Sequence, residues 1–483
     1  MIDKPRSASI YFDPAMKKLD TKERDEDRGL AGNVTRRAFL GAAAAFGPAM
    51  FGPLYAATAT HRISVFRSDV TPELGEPLFP ATPATKIESP LWAKGVIIEA
   101  AGARYILCAV DWCALSNSTH RLFCTTIAEA AGARVDRVLV QTVHQHTAPY
   151  ADGDAYALLG QLPTPPPRIS DAFLDRAMSR LSQAVREAAA QMQPFDQIGA
   201  GEARVERVAS ARRILMPDGT QITRFSSDGK DPAMAALPEG SIDPMIKTIA
   251  FASAGRTLVR LYYYATHPQT SYGDGRVSSD MAGDARDAVE KSEGVPQIYF
   301  TGCAGDVTVG KYNTGPASRS ELAQRLAQGM RAASAATRFK PAGKIDLRTA
   351  IIALPRPAVL PIKDAEGLAQ FAAEKSSTPG KVYLAALRVA FANRKEPFTA
   401  TLLTLGNVRI LHLPGEPMLE FQRYAQGLRA NDFVAVAGYG DLSPGYLCTD
   451  RAWTEGGYEP SASNSGPGTE AAVKKAIQEV FRA

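Results

Sequence analysis

Beyond residue 60, short apolar runs alternate with longer amphipathic segments, and the two periods predict different elements. Runs such as 138–142 and 297–300 are rich in β-branched and aromatic residues, which is typical of buried strands. Segments such as 116–131 and 170–191 place apolar residues three and four positions apart, which predicts helices with one buried face. Because strands and helices alternate along the chain, the pattern indicates a layered α/β protein.

The same two periods predict the remaining elements, and the sequence has no internal repeat. The further predicted strands cover 62–70, 95–100, 105–109, 198–208, 245–252, 257–265, 344–354, 399–405, 408–413 and 433–437. The further predicted helices cover 281–292, 320–333, 364–375, 418–429 and 469–482.

The N-terminal segment predicts export. Arg36 and Arg37 stand before an uncharged run of Ala, Gly and Phe residues, as in a twin-arginine signal. Small residues at 57–59 suit cleavage, so we expect residues 1–59 to be the signal peptide with its n-region and residues 60–483 to be the exported domain. The protein is therefore expected to be periplasmic or secreted, with the Tat translocase as its partner during export.

A retained membrane anchor is the alternative interpretation of this segment. The run contains Gly47-Pro48 and Gly52-Pro53. It is also shorter than the roughly 20 apolar residues that a spanning helix needs. We therefore expect no stable transmembrane anchor.

Composition and charge exclude several classes of protein. The chain is 45% hydrophobic and 22% charged, as globular proteins are, and its net charge is only +5 over 483 residues. Such a weak charge gives no electrostatic basis for nucleic-acid binding, so nucleic acid is not an expected partner. The five cysteines are odd in number and lack a CxxC pair, which excludes a disulfide framework and a cysteine-rich zinc site. A single disulfide bond between two of the five cysteines is not excluded by these observations.

Potential metal ligands follow several of the predicted strands. His144 and His146 come after 138–142, and His267 and Glu416 come just after two other strands. Ligands bind at the carboxyl ends of strands in open α/β sheets, and residues i and i+2 of an extended segment project to one side. Each histidine could also be an isolated polar loop residue. The Glu416 carboxylate could simply stabilise the N-terminus of the following helix through its negative charge. Two histidines and a glutamate nevertheless match a catalytic zinc site, which uses three N/O ligands and keeps one position open.

These residues belong to an ordered series of motifs that resembles the neutral ceramidase family of zinc amidases. The series spans most of residues 62–465, and agreement in order is more specific than any single motif. Its members are Asp69-Val70-Thr71-Pro72, Val143-His144-Gln145-His146-Thr147-Ala148-Pro149, Thr266-His267-Pro268, Gly305-Asp306-Val307-Thr308, Pro414-Gly415-Glu416, Gly445-Tyr446 and Gly457-Tyr458-Glu459.

The resemblance implies a ceramidase-like catalytic domain of mixed sheets with flanking helices, and one zinc ion per chain. It implies hydrolysis of the linear amide bond of ceramide or a related N-acyl lipid amide to a fatty acid and an amine. The residues that it places in the site are the zinc ligands His144, His267, Glu416 and Tyr446, and the catalytic candidates Thr308, His146, Tyr458 and Arg212.

The chain departs from the family pattern at two points. Thr308 stands where the family has a serine in a Gly-Asp-Val-Ser-Pro-Asn-like loop, which keeps the hydroxyl but adds a methyl group and stiffens χ1. The sequence stops soon after Tyr458, so no C-terminal immunoglobulin-like domain is expected. Two alternatives stay open: a catalytically weakened lipid-amide binding protein, and a zinc hydrolase of a non-lipid amide or ester.

Overall fold

Three β-sheets of four or five strands dominate the computed structural model, which describes residues 61–357 and 361–482. Each sheet contains both antiparallel and parallel pairs, which confirms the mixed α/β class. The predicted export signal at residues 1–59 lies outside the described residues and stays a prediction. None of the helices in the described ranges is long and apolar enough to cross a membrane.

The sheets follow one another along the chain. The strand order of the first sheet is Gln193–Phe195, His61–Asp69, Trp92–Ala100, Ala103–Val110, Val138–Thr142. The order of the second is Gln297–Thr301, Arg256–Tyr264, Met245–Ser253, Gln197–Arg204, Arg338–Pro341. The order of the third is Ile345–Ile352, Phe398–Leu405, Val408–His412, Phe433–Ala437.

Shorter strands pair outside the large sheets and tie loops together. These pairs are Pro77–Leu78 with Thr82–Pro83, Lys86–Ile87 with Arg276–Val277, Ala114–Ser116 with Tyr150–Asp152, Ser210–Ala211 with Val307–Thr308, Arg213–Leu215 with Gln221–Thr223, and Glu416–Pro417 with Tyr446–Leu447.

Helices flank the sheets. The α-helices are Asn117–Ala131, Gly153–Leu159, Asp171–Ala190, Pro232–Ala236, Asp280–Glu293, Ser318–Ala335, Ala365–Ala372, Pro379–Asn393, Leu419–Leu428, Asp450–Glu455, Tyr458–Ala462 and Thr469–Phe481, and the 3₁₀ turns are Val135–Arg137 and Asp228–Lys230. The strands and helices predicted from the periodicity are confirmed with ends shifted by up to four residues. The helix Pro379–Asn393 was not predicted.

One supersecondary unit recurs in all three large sheets. An antiparallel hairpin is followed by a helix, and the next strand returns parallel to the second hairpin strand. The helix is needed because a parallel pair cannot be closed by a tight turn. The returning strands are Val138–Thr142, Gln297–Thr301 and Phe433–Ala437.

The carboxyl ends of the three returning strands meet. The Thr142 N–H donates to the Tyr439 carbonyl at 2.8 Å, and the Gly438 N–H donates to the Thr301 carbonyl at 3.0 Å. The Thr301 hydroxyl donates to the Val143 carbonyl at 2.7 Å. Residues that follow strands in three different sheets are thereby gathered at one place.

Candidate metal centre

The gathered strand ends place three predicted ligands side by side. His144 follows the returning strand of the first sheet, whereas His267 and Glu416 follow Arg256–Tyr264 and Val408–His412, the strands that pair in parallel with the returning strands of the second and third sheets. All three side chains are buried. Glu416 Oε2 lies 3.2 Å from His144 Nε2 and 3.1 Å from His267 Nε2, and the ligand atoms of the three residues lie within 4.8 Å of one another.

This spacing suits a metal ion. Metal–ligand bonds of about 2.0–2.1 Å in a tetrahedral site put neighbouring ligand atoms about 3.3 Å apart. The two measured N···O distances lie close to that value. The buried group of His144, His267 and Glu416 can therefore hold a metal ion.

Backbone carbonyls fix the tautomer of both histidines. His144 Nδ1 lies 2.6 Å from the Cys113 carbonyl oxygen, and His267 Nδ1 lies 2.7 Å from the Ala304 carbonyl oxygen. A carbonyl only accepts, so each Nδ1 must carry the proton and donate it. In the neutral form of each ring, Nε2 then has a lone pair that faces Glu416, which is the arrangement that metal-binding histidines have.

The charge states of the site also suit a metal ion. Burial lowers the pKa of His267 to about 4, and the Arg212 charge acts in the same direction. Burial alone would raise the pKa of Glu416, but its interactions with His144 and His267 hold that pKa well below the usual range. At neutral pH the site thus offers a neutral His267 imidazole and an ionised carboxylate, as metal binding requires.

Arg212 and two tyrosines form one wall of the site. Arg212 Nη1 donates to the Tyr446 hydroxyl at 2.9 Å and to the Gly305 carbonyl at 3.0 Å. Its guanidinium carbon lies 5.3 Å from the centre of the Tyr458 ring. Tyr446 also pairs with Glu416 across the short parallel ladder. Arg212, Tyr446 and Tyr458 are thus brought together beside the metal group, and their individual roles stay predictions.

His146 lies against His144. The two Nε2 atoms are 3.3 Å apart, and the His146 ring lies edge-on to Phe79 and Tyr272. The sequence predicted this proximity from an extended segment, but His144 has a left-handed backbone (φ 72°), so a turn brings the rings together. Burial lowers the pKa of His146 well below its usual range, and the neighbouring histidines add to the effect. His146 is therefore neutral at physiological pH.

Thr308 is buried and its hydroxyl has a partner that the sequence did not reveal. Thr308 Oγ1 lies 2.5 Å from Ser226 Oγ, and the Ser226 hydroxyl donates to Gln269 Oε1 at 2.9 Å. Because Ser226 has one proton and gives it to Gln269, Thr308 must donate to Ser226. The lone pairs of the Thr308 oxygen then remain available to accept.

Comparisons with known proteins agree with this geometry at the level of the fold. No protein-family model matches the sequence, and no curated protein matches it. The crystal structure of neutral ceramidase from Pseudomonas aeruginosa superposes with a TM-score of 0.66 at 18% sequence identity, covering 87% of this chain and 73% of that chain. The chain has the neutral ceramidase fold.

A second solved structure supports the same conclusion. A ceramidase complexed with C2 superposes with a TM-score of 0.65 at 16% identity, covering 87% of this chain and 74% of that chain. The neutral ceramidase fold expected from the order of the motifs is thus confirmed. Identities this low establish the fold alone.

Two further residues line the metal group in this ceramidase-like fold. The Tyr439 ring lies 4.5 Å from the His144 ring, and its hydroxyl lies 3.5 Å from His267 Nδ1. Cys113 Sγ lies within 4.8 Å of a ring nitrogen of His144 and one of His146. Neither residue was predicted, because an aromatic residue or a cysteine after an apolar strand is usually a core residue. All five cysteines are free thiols, so no disulfide forms among them.

Three exposed aromatic rings lie near the candidate metal group. Phe225 and Tyr272 are each 45% exposed, and Tyr458 is 39% exposed. The Phe225 ring contacts the Tyr458 ring, and the Tyr272 ring contacts His146. Large apolar surfaces next to a site are typical of ligand-binding regions.

Proposed function

We propose that the protein is a zinc-dependent amidohydrolase that cleaves the N-acyl amide bond of ceramide or a related lipid amide, releasing a fatty acid and an amine. The observation that carries this proposal is the buried group of His144, His267 and Glu416. Both Nε2 atoms face one carboxylate there, within the neutral ceramidase fold. The substrate class is taken from the fold and from the exposed aromatic rings beside the site.

The donor set of two imidazoles and one carboxylate is one that zinc prefers. When bound, zinc supplies polarisation of a substrate carbonyl and activation of water. Arg212 carries a positive charge that is held by Tyr446 and Gly305, so it can stabilise an oxyanion without reorganising. Tyr458, beside that guanidinium, is a second donor to the same oxygen.

The leaving amine needs a proton, and His146, which lies against His144, is proposed to deliver it. Its imidazole is neutral, and the Nδ1 atom is buried with no hydrogen-bond partner among the described residues. His146 can therefore take a proton from water and pass it to the amine nitrogen. The Thr308 hydroxyl, next to the His267 loop, is proposed to accept a hydrogen bond from water or substrate.

Metal analysis and a substrate series test the proposal together. Purified protein is expected to hold about one zinc per chain, and Glu416→Ala and His144→Ala are expected to lose both zinc and amidase activity. The substrates are N-acyl amides of increasing acyl length. If the exposed aromatic rings bind the acyl chain, kcat/KM should rise about fourfold per added CH₂, from about 0.8 kcal/mol each. Full activity without metal would overturn the proposed zinc dependence, and length-independent rates would favour a non-lipid substrate.

The second candidate is a lipid-amide binding protein with weakened catalysis. It is favoured by the full burial of Thr308 and by its bond to Ser226. Tight binding of a long-chain amide with no turnover, in the zinc-loaded protein and in Thr308→Ser alike, would support it. Measurable hydrolysis by the zinc-loaded protein would exclude it.

Export completes the proposal. The paired residues Arg36 and Arg37 are proposed to direct the chain through the Tat translocase to the periplasm or beyond. Cell fractionation of the double variant Arg36→Lys/Arg37→Lys tests this, and the variant protein should remain in the cytoplasm. Unchanged export of that variant would contradict the proposal.

A further inference from the structure

The Cys113 thiol lies beside the metal centre and has no part in the function proposed above. Its side chain is 1% exposed and it is a free cysteine. Its sulfur groups with ring nitrogens of His144 and His146, with the three atoms within 4.8 Å of one another. A thiol and two imidazoles form a donor set of their own, distinct from the nitrogen and oxygen set of His144, His267 and Glu416.

The backbone holds Cys113 against both histidines. Its N–H donates to the Pro149 carbonyl at 2.8 Å, at the end of the segment that carries both histidines. Its carbonyl accepts the His144 Nδ1 proton at 2.6 Å. The His144 N–H in turn donates to the Trp112 carbonyl at 3.0 Å. Since main-chain bonds link the residue to this segment on both sides, the sulfur lies next to the histidines as a consequence of the fold.

His146 also has unused capacity as a ligand. It is absent from the group formed by His144, His267 and Glu416. Its Nε2 lies 3.3 Å from His144 Nε2, close to the separation expected for two ligands of one ion, and its Nδ1 has no hydrogen-bond partner among the described residues. A metal ion on the Cys113 side of His144 would therefore find a second nitrogen already in place.

We propose that Cys113, His144 and His146 form a second, softer metal site that shares His144 with the zinc centre and takes a thiophilic cation such as Cd²⁺. Thiolate sulfur favours soft ions, whereas the carboxylate of the other set favours harder ones. Binding breaks the S–H bond, forms a sulfur–cadmium bond and releases one proton to solvent. Because His144 serves both sites, only one of them can be filled completely at a time.

Cadmium titration of the metal-free protein tests this site without any activity assay. A bond between cadmium and a thiolate gives an ultraviolet charge-transfer absorption that nitrogen and oxygen ligands do not give. One equivalent of Cd²⁺ should produce this band in the wild-type protein, and Cys113→Ala should abolish it. Cys108→Ala is the matched control, because Cys108 is equally buried on the preceding strand and belongs to neither ligand group.

Two further variants separate this site from the zinc site. Glu416→Ala should lose zinc but keep the cadmium band, whereas His146→Ala should weaken cadmium binding at least about tenfold while still taking up zinc. The absence of a band in wild-type protein, or an equal band in Cys113→Ala, would overturn the proposal. If the wild-type protein binds no zinc but still shows the cadmium band, the proposed function is contradicted and this inference stands. If Cys113→Ala fails to fold, the His146→Ala result decides.

Discussion

At the scale of single residues, the left-handed backbone of His144 (φ 72°) orients its imidazole toward the other candidate metal ligands. A non-glycine residue in this region carries a strain of about 1–3 kcal/mol, and such strain concentrates at functional sites. Tyr439 is also left-handed (φ 61°), and the two rings pack against each other. The surrounding hydrogen bonds and this ring contact hold both residues in place, so the imidazole direction is fixed before any ligand arrives.

Thr308 is predicted to act through its hydroxyl. Thr308→Ser keeps the hydroxyl, so amide hydrolysis should stay within about threefold of wild type or rise as the χ1 restriction is relieved. Thr308→Val keeps the shape but removes the donor to Ser226 and the acceptor, so kcat should fall by about 100-fold or more. Steady-state kinetics on one amide substrate compare the two variants. Full activity of Thr308→Val would show that Thr308 has only a structural role.

His412 is predicted to make the protein less stable in acid. It is buried, neither ring nitrogen has a hydrogen-bond partner among the described residues, and burial lowers its pKa to about 3. The unfolded chain, with a pKa near 6.5, binds more protons than the folded one between about pH 3 and 6.5, so stability falls as the pH drops through this window. At pH 5 the cost is about 2 kcal/mol relative to pH 8.

Substitution of His412 tests this titration. His412→Leu removes two buried unpartnered nitrogens and the titrating group, so it should stabilise the protein, more at pH 5 than at pH 8. Urea unfolding at both values measures the free energy of unfolding. An equal effect of the substitution at the two pH values would contradict the assigned pKa.

The sequence allowed site residues to be predicted where their residue type is rare. The chain has six histidines, and those that follow strands stood out as ligands because their chemistry is unusual in a core. Tyr439 and Cys113 did not stand out, since buried tyrosine and cysteine are common. Ser226 lies 82 residues from Thr308 in the chain, so only the folded structure reveals their hydrogen bond.

At the scale of elements, the Pro414-Gly415 turn carries the glutamate to the site. Gly415 has a φ of 65°, and its N–H donates to the Asp441 carbonyl at 2.9 Å. A Cβ atom there would lie 2.7 Å from the Gly445 carbonyl oxygen. Gly415→Ala should therefore displace the turn and with it the Glu416 carboxylate, lowering zinc affinity at least about tenfold.

Gly255→Ala is the matched control for this prediction. Gly255 also has a positive φ (78°), but a Cβ there would meet nothing within 4 Å. Both variants carry the left-handed strain of about 1 kcal/mol, whereas only Gly415→Ala adds the clash. Zinc competition with a chelator measures the affinity, and equal affinities in the two variants would show that the turn does not position Glu416.

The elements themselves were largely predictable, and the exceptions have physical reasons. Strands such as Val138–Thr142 have strongly apolar, β-branched sequences. The helix Pro379–Asn393 was not predicted because nine of its fifteen residues are buried, which blurs the one-sided apolar period. The recurrent unit of hairpin, helix and parallel strand escaped detection because it is repeated in hydrogen-bond topology and not in sequence.

At the scale of the whole molecule, the candidate metal ligands follow strands of three sheets, and one hydrophobic cluster also joins these sheets. The largest hydrophobic cluster contains Val96 of the first sheet, Leu261 of the second and Ile410 of the third. Such long-range packing cannot be derived from local periodicity, which is why the sequence predicted strand-end ligands without showing how the sheets would meet. The ordered motifs nevertheless pointed to the correct fold.

A metal ion in this centre is predicted to stabilise the whole fold, because it would join residues of all three sheets. The unfolded chain cannot hold His144, His267 and Glu416 together, so binding favours the folded state, by about 4 kcal/mol at a zinc concentration 1,000 times the Kd. For a domain of this size that gain raises Tm by about 4–5 °C. Calorimetry of chelator-treated and zinc-loaded protein measures the shift. Glu416→Gln keeps the shape of the side chain but not its charge, so it should remove most of the zinc-dependent rise in Tm. An equal rise in that variant would mean that zinc binds elsewhere.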